Sequence, residues 1–342
     1  MSATRPMHDT TMPAAPQLDL RFERTRAGRT WLAWQRAGYP FHVGRRLDGA
    51  RDGDARVIVQ SCSGGLFEHD RVAQRLVAAD GAHARIETAA ATIVHTMTDG
   101  HAASHVSIDA HPHARVAWLP EPTILFPRAR FASAIDVTLH PRAAVLLADA
   151  YLTHDPARGG ATFARLDASV AVRDPRGRLL ALDRFVLEPG LSGQVGVTDA
   201  ADAAGRPFAA HGGLFVLIGA DAADDEPGST PTSTPGGDAA REVAAALAHA
   251  LAHADGRQAY AGAGLLPGAC GAFARILAAD APALRALLST AVEAASRALD
   301  GLSCGAPRAL RAPSNREVIR DSSPSFESRP ATHQRQPASV PD

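Results

Sequence analysis

Short runs of alternating apolar and polar residues recur along the first two thirds of the chain. Val106 and Ile108 alternate with polar neighbours, and Phe131, Ile135 and Val137 share one face of a later run. This period of two is typical of strands with one buried face. Because such runs recur about every ten residues without helical patterns between them, they predict a mainly β protein with stacked antiparallel sheets in an elongated β-rich body.

Turn residues separate several of these runs. Asp80 and Gly81 precede one run, and Asp174–Gly177 (DPRG) supplies a turn where a hairpin needs one. Gly213–Ile218 is apolar throughout and is predicted to be one more buried strand.

The pattern changes to helical spacing near the C-terminus. We predict one helix behind Asp238 as its N-cap and a second between Asp280, as N-cap, and Gly301, as its end. Glu293 and Arg297 can pair across one turn of the second helix. The fold class is therefore completed by a C-terminal pair of α-helices. The apolar stripes are Val243, Leu247 and Leu251 in the first helix and Leu284, Leu287, Leu288, Ala291, Val292, Ala295 and Leu299 in the second.

Composition divides the chain into five segments. Pro-rich or polar stretches with little to bury are expected to be unstructured. The predicted segments are an unstructured leader over 1–17, the β-rich body over 18–220, an acidic linker over 221–237, the helical region packed on the body over 238–311, and an unstructured tail over 312–342.

Charge and cysteine usage exclude several classes of function. The 35 basic residues are all arginine and balance 36 acidic ones, so no lysine chemistry and no basic surface for nucleic acid or membrane is expected. The three cysteines lack C-x-x-C spacing, which argues against a disulfide framework or a cysteine zinc site. No apolar stretch approaches the length of a membrane span. These observations predict a cytoplasmic protein.

Two glycine motifs fail as catalytic or cofactor motifs. Gly301–Gly305 (GLSCG) matches the nucleophile elbow of serine hydrolases, but it follows a helix instead of a strand, so a helix-terminal turn is the better interpretation. Gly262–Pro267 lacks the third glycine of a dinucleotide fingerprint and is interpreted as a turn.

Histidine is abundant, with 15 residues, six of them between His83 and His113. Neutral imidazole is a common ligand of nickel and zinc. No ligand set with fixed spacing emerges, and scattered surface histidine is the default interpretation. The weak, transient metal-binding candidates are His95, His111, His113, His249 and His253.

Several segments, taken in order, resemble the urease accessory protein UreD family. They include Ser61–Asp70 (SCSGGLFEHD), Trp118–Phe126 (WLPEPTILF), Arg173–Phe185 and the closing helix, and the resemblance spans 22–308. Taken alone, the first segment could be a site loop, but a tight crossover between strands is the favoured interpretation, because most glycine pairs form turns. Departures from the family pattern include Glu68 and His69 in place of loop glycines, so the chain is identified as a divergent member.

The resemblance implies a scaffold or chaperone without catalysis. UreD-like proteins bridge apo-urease to a UreF-like protein, which recruits a UreG-like GTPase carrying nickel, and the ion is thought to pass through UreD. No tightly bound cofactor is implied, only transient nickel. The resemblance also leads us to expect that segments 64–70 and 120–126 line a shared surface or passage, and that the helical region binds the UreF-like partner. The implied partner or nickel-passage residues are Gly64, Gly65, Glu68, His69, Asp70 and Glu121.

Two other classes of function remain open from the sequence. A β-rich metal-dependent hydrolase would need a ligand trio from the histidine-rich segment converging on one pocket. A non-catalytic β module that binds carbohydrate would need exposed aromatic platforms, and only 3 Trp and 3 Tyr are available.

Overall fold

The computed structural model describes residues 15–44, 47–48, 53–188, 208–221, 235–252 and 258–304, and within them the chain is mainly β. A 3-10 turn, Pro267–Ala269, joins the last two strands. In chain order the other elements are β1 (Leu18–Arg24), β2 (Thr30–Ala37), β3 (Phe41–Val43), β4 (Leu47–Asp48), β5 (Ala55–Ser61), β6 (Arg71–Ala78), β7 (His83–Thr88), β8 (Ile93–Val94), β9 (Ala102–Ala110), β10 (Arg115–Leu119), β11 (Thr123–Leu125), β12 (Arg130–Leu139), β13 (Ala144–Thr153), β14 (Arg165–Arg173), β15 (Leu179–Leu187), β16 (Ala210–Ile218), α1 (Pro235–Leu251), β17 (Ala259–Leu265), β18 (Gly271–Ala278) and α2 (Ala281–Cys304).

The strands form two sheets. The seven-stranded sheet has the order β15-β14-β12-β9-β6-β1-β2. The eleven-stranded sheet has the order β17-β18-β16-β13-β10-β7-β5-β3, with β4 on β5 and with β11 joining β13 to β8.

Successive strands alternate between the two sheets, and this decides the strand direction. The chain runs from β5 in the larger sheet to β6 in the smaller one, returns in β7, and repeats the exchange through β14. Each strand therefore re-enters its sheet in the direction of its predecessor, as in a solenoid. The pairs β6–β9, β9–β12 and β12–β14, like β5–β7, β7–β10 and β10–β13, are all parallel.

The prediction of a mainly β fold with stacked sheets and a C-terminal pair of helices is confirmed, but antiparallel pairing is wrong for the centre of both sheets. It holds at the margins, including β1–β2, β14–β15 and β13–β16. The physical reason is that a period of two reports which face of a strand is buried and carries no information on strand direction. The predicted turn Asp174–Gly177 does connect β14 to β15, with Gly177 at a φ of 83°.

Apolar side chains fill two layers. The inner core lies between the two sheets and takes Leu76, Ile108 and Val137 from the smaller sheet and Ile86 and Val145 from the larger. The outer core lies between the other face of the larger sheet and the two helices. The predicted helical stripes are confirmed here, since Val243, Leu247, Leu251, Leu284, Ala291, Ala295 and Leu299 are all buried in it.

The C-terminal region differs in detail from the prediction. Helix α1 begins at Pro235, so Asp238 lies in its first turn and is not the N-cap. Gly262 belongs to β17, not to a turn, because the strand pairing of β17 with β18 overrides the weak strand propensity of its glycines. Helix α2 continues past Gly301 to Cys304, so the GLSC residues are helical and cannot form a nucleophile elbow. Asp280 does cap α2, accepting a bond from the Ala283 amide at 2.9 Å.

The segment boundaries stay predictions. Residues 1–14, 222–234 and 305–342, which make up most of the predicted leader, linker and tail, lie outside the described residues. At the end of the leader, the Gln17 side chain bonds the backbone of Arg71 and Ala73 in β6. Neither described helix combines the length and apolarity needed to cross a membrane.

Candidate functional site

A cavity of about 90 Å³ lies between the two sheets, with room for several water molecules. The smaller sheet supplies its wall from β6, β9 and β12, and the larger sheet supplies the opposite wall from β5, β7, β10 and β13. Residues around β8 and β11 close one side. The polar side chains among the lining residues are Ser61, Gln74, Thr88, Thr92, Ser104, Glu121, Thr123, Ser133 and Asp149.

Asp149 is the most unusual of these polar residues. It lies on the inner face of β13 and is only 8% exposed. Burial raises the pKa of its carboxyl from 3.8 to about 6, while the Tyr151 hydroxyl and the Arg275 charge oppose the rise. Burial and the Asp149 charge in turn raise the pKa of Tyr151 well above its ordinary value. At neutral pH the Asp149 carboxylate in the cavity wall therefore lies beside the protonated hydroxyl of Tyr151.

A cluster of partly buried polar residues adjoins Asp149. Arg275 of β18 forms an ion pair with Asp183 of β15, which joins the two sheets, and its guanidinium lies over the Phe185 ring at 5.2 Å. Burial, assisted by the Arg275 charge, lowers the pKa of His211 from 6.5 to about 4. Its buried Nδ1 has no hydrogen-bond partner among the described residues. Burial, together with the Arg275 charge, therefore keeps this imidazole neutral at physiological pH.

The glycine-containing loop between β5 and β6 packs against β8. The Leu66 amide donates to the Ile93 carbonyl at 2.7 Å, and the His95 amide donates back to the Leu66 carbonyl at 2.9 Å. Gly65 has a φ of 134°, and a Cβ there would lie 2.4 Å from the Ile93 oxygen. Gly64 has open space around its Cα. Only the second glycine is therefore required by this close approach of two backbones.

The ionisable residues of this loop are used to hold it together. Glu68 accepts hydrogen bonds from the backbone amides of Thr98, Asp99 and Gly100, and these bonds lower the pKa of its carboxyl. Asp70 accepts a bond from the Phe67 amide at 2.7 Å. These contacts give both carboxylates a local structural role.

Two histidines lie at this loop: His69 belongs to it, and His95, which follows β8, packs against it. His69 is exposed and has a φ of 70°. His95 stacks on Phe67 with ring centroids 4.3 Å apart, meets Phe126 edge-on at 5.5 Å, and has its Nε2 2.9 Å from the Gly64 carbonyl. His95 thus connects the loop to the end of the segment 120–126.

The two segments expected to share a surface do lie together. Strand β8 lies between them, bridged to Leu66 on one side and paired with β11 on the other. Leu66, Pro120, Glu121 and Thr123 line the same cavity. Glu121 also forms an ion pair with Arg285 of α2 at 2.8 Å, so it links the edge of the cavity to the helical layer.

The remaining histidine candidates do not form one site. His249 is exposed on α1, and His253 lies outside the described residues. His113 is exposed in the turn after β9 with a φ of 58°. His111 lies in the same turn but contacts Asp109 and His140 instead of His113. The ligand trio Asp109, His111 and His140 does not line the cavity, so no trio of the kind a hydrolase needs converges on it within the described residues.

Asp149, Asp109 and His140 were not among the candidate residues that the sequence motifs indicated. A signal for Asp149 was present, because it is the single charged residue in the apolar run 144–152 (AVLLADAYL). A charge inside such a run marks either a functional position or a buried network. Asp109 and His140 are 31 residues apart, and only the pairing of β9 with β12 brings them together.

The comparisons with known proteins identify the family. The UreD urease accessory protein model matches residues 14–311. The chain is 35% identical over 318 residues to Urease accessory protein UreD 1 of Pseudomonas syringae pv. syringae, covering 89% of this chain and 99% of that protein. It is 33% identical over 302 residues to Urease accessory protein UreD 1 of Pseudomonas syringae pv. tomato, covering 85% and 94%.

These matches are all to urease accessory proteins, which agrees with the prediction that the chain is not an enzyme. The chain belongs to the UreD urease accessory protein family. The resemblance inferred from the sequence motifs is thereby confirmed.

Proposed function

We propose that this urease accessory protein inserts nickel into apo-urease in the cytoplasm, and that the ion crosses the protein through the cavity between its sheets. The observation that carries this proposal is the polar lining of that cavity around the buried carboxylate of Asp149. An interior between two sheets is normally filled by apolar side chains. A row of hydroxyl groups, an amide and a carboxylate is instead suited to a hydrated cation.

The chemistry of the lining favours passage over storage. Oxygen ligands hold nickel more weakly than the imidazole and thiolate ligands of tight sites, and within the described residues the lining includes neither histidine nor cysteine. Asp149, with a pKa of about 6, supplies a negative charge at neutral pH. Such a site attracts a cation and releases it. No tightly bound cofactor is part of this proposal.

The experiment that tests passage uses two serines on opposite faces of β9. Ser104 lines the cavity, whereas Ser107 lies on the outer face of the same strand. The full chain is co-expressed with urease subunits and the other accessory proteins, and nickel per urease active site is measured by mass spectrometry together with urease activity. Ser104→Leu should lower nickel loading several-fold, and Ser107→Leu should leave it unchanged. Full loading by a folded Ser104→Leu protein would refute the passage.

Asp149→Asn gives a second test that preserves the cavity volume. It removes the interior charge and should also reduce nickel loading. Wild-type loading by both Asp149→Asn and Ser104→Leu would show that the ion does not use this cavity.

We also propose that the helical layer binds the UreF-like partner, through which a UreG-like GTPase is recruited, and that the chain bridges both to apo-urease. Helices α1 and α2 bury one face on the larger sheet. Ala245 and Ala248 are exposed on α1 at helical spacing and permit close approach of a partner helix. A deletion of 238–302 would remove the helices but also β17 and β18 from the larger sheet. Surface substitutions on α1 are therefore a better test of this interface than the deletion.

The partner experiment is a pull-down of the UreF-like protein. Ala245→Arg with Ala248→Arg should abolish its recruitment, because two large cations would separate the helices. Ala157→Arg, at an exposed alanine in the loop after β13, serves as the control. Unchanged recruitment by the double variant would move the interface away from α1.

A further inference from the structure

Two histidines and an aspartate meet at one edge of the seven-stranded sheet. Asp109 is the penultimate residue of β9, and His111 begins the turn that follows. His140 begins the turn after β12, which runs parallel beside β9 with Leu139 opposite Ala110. Because the carboxyl ends of adjacent parallel strands lie at the same edge of a sheet, the three side chains come together.

The two turns that carry the histidines repeat the same local structure. The sequences are His-Pro-His-Ala from His111 and His-Pro-Arg-Ala from His140. In each turn the alanine amide bonds back to the histidine carbonyl, at 3.0 and 3.1 Å, and the third residue has a φ of 58°. The turns stack on one another, since the His140 amide bonds the Ala110 carbonyl at 3.1 Å. Both backbones are therefore held in place before any ligand binds.

The side-chain geometry follows from this stacking. The imidazole rings of His111 and His140 lie face to face with centroids 4.6 Å apart and planes 12° apart. Asp109 Oδ1 lies 3.2 Å from His140 Nε2, and Oδ2 lies 3.4 Å from His111 Nε2. One carboxylate thus faces two imidazole nitrogens.

The two separations between Asp109 and the histidines fall in the range expected for neighbouring ligands of one metal ion. Ligand nitrogen and oxygen atoms lie about 2.0–2.1 Å from a divalent transition-metal ion, so neighbouring ligands of one ion are about 3.0–3.4 Å apart. All three ligand atoms lie within 4.8 Å of one another. Asp109 Oδ1 is buried, and although His140 Nε2 lies 3.2 Å away, no donor in the described part of the chain makes a well-aligned hydrogen bond to it. A buried carboxylate oxygen without a donor is costly unless a cation takes that place.

We propose that Asp109, His111 and His140 bind one divalent transition-metal ion of the nickel and zinc class. Imidazole and carboxylate suit these ions, and the partly exposed side chains leave further coordination positions open to water or to another protein's ligand. The site lies at the edge and on the outer face of the smaller sheet, whereas the cavity lies on the inner face. It therefore stands independently of the proposed passage of nickel through the cavity.

The test is a titration of the untagged full-length protein with Ni²⁺ and, separately, Zn²⁺ by isothermal calorimetry. Asp109→Asn and His140→Gln each remove one ligand at little change in volume. Changes that only reorient a ligand weaken metal binding about 10–100-fold, so loss of a ligand should weaken this site by at least about 100-fold. The control is His105→Gln, since His105 also pairs with a carboxylate on the outer face of this sheet, Asp136, at 2.7 Å, and the described residues bring no third metal ligand to that pair.

A second readout locates the ion. Paramagnetic Ni²⁺ should first broaden the imidazole proton resonances of His111 and His140, which are assigned by their loss in His111→Gln and His140→Gln. Equal binding by wild type, Asp109→Asn and His140→Gln would overturn the proposal. So would the absence of Ni²⁺ and Zn²⁺ binding by the wild-type protein, or first broadening of other histidines. Urease loading is not used as a readout, so failure of the passage proposal would leave this result unaffected.

Discussion

Replacing Gly65 by alanine should detach the loop between β5 and β6 from β8. A methyl group at this position would lie 2.4 Å from the Ile93 carbonyl oxygen and 2.9 Å from His95 Nε2. The Ile93 oxygen cannot retreat without breaking the bond it accepts from the Leu66 amide at 2.7 Å. The φ of 134° is also one that an L-amino acid rarely adopts.

The magnitude follows from these two terms. A residue forced into a sparsely populated backbone conformation costs about 1–3 kcal/mol. The lost backbone bond with a buried unpaired carbonyl adds about 1–3 kcal/mol. We therefore expect Gly65→Ala to lower the free energy of unfolding by about 3 kcal/mol, which corresponds to a fall in Tm of roughly 6–12 °C for a chain of this size.

The assay is thermal unfolding followed by circular dichroism, with Gly64→Ala as the matched control. A Cβ on Gly64 meets no atom within 4 Å. Hydrogen exchange of the Leu66 and His95 amides should accelerate in Gly65→Ala and stay slow in the control. Equal Tm values and equal exchange in the two variants would show that the close approach of the loop to β8 does not require Gly65.

Three further predictions concern stability. The pKa of Asp149 is raised from 3.8 to about 6, so ionisation of this buried carboxyl destabilises the native state as pH rises through that range. Asp149→Asn, which stays neutral, should therefore be more stable than wild type above pH 6, by about 3 kcal/mol in denaturant unfolding. The pKa of His211 is instead lowered from 6.5 to about 4, so wild-type stability is lost as pH falls through that range, and His211→Gln should show a smaller loss in acid unfolding. Asp280→Ala removes the cap of α2 and should cost about 1 kcal/mol, measured as the shift in urea midpoint against the exposed Thr290→Ala on the same helix; an equal shift in both would contradict the capping role.

Local patterns in the sequence were sufficient to identify the family and the buried face of each element. Ordered motifs such as Trp118–Phe126 pointed to the UreD family, and the family model and the relatives confirm that inference. Period-two runs located strands such as β9 and β12, and helical stripes located α1 and α2. These features were accessible because periodicity and local motifs depend on residues close together in the chain.

The way in which those elements combine depends on contacts between distant parts of the chain. The alternation of strands between two sheets made the central pairs parallel, which no local pattern encodes. It also brought Asp149, which lies in none of the family motifs, into the cavity wall, whereas Glu68 of the loop motif accepts hydrogen bonds from the backbone of 98–100. Asp109 and His140 met because two turns of the solenoid stack, and such contacts between distant residues depend on sheet register, not on sequence spacing.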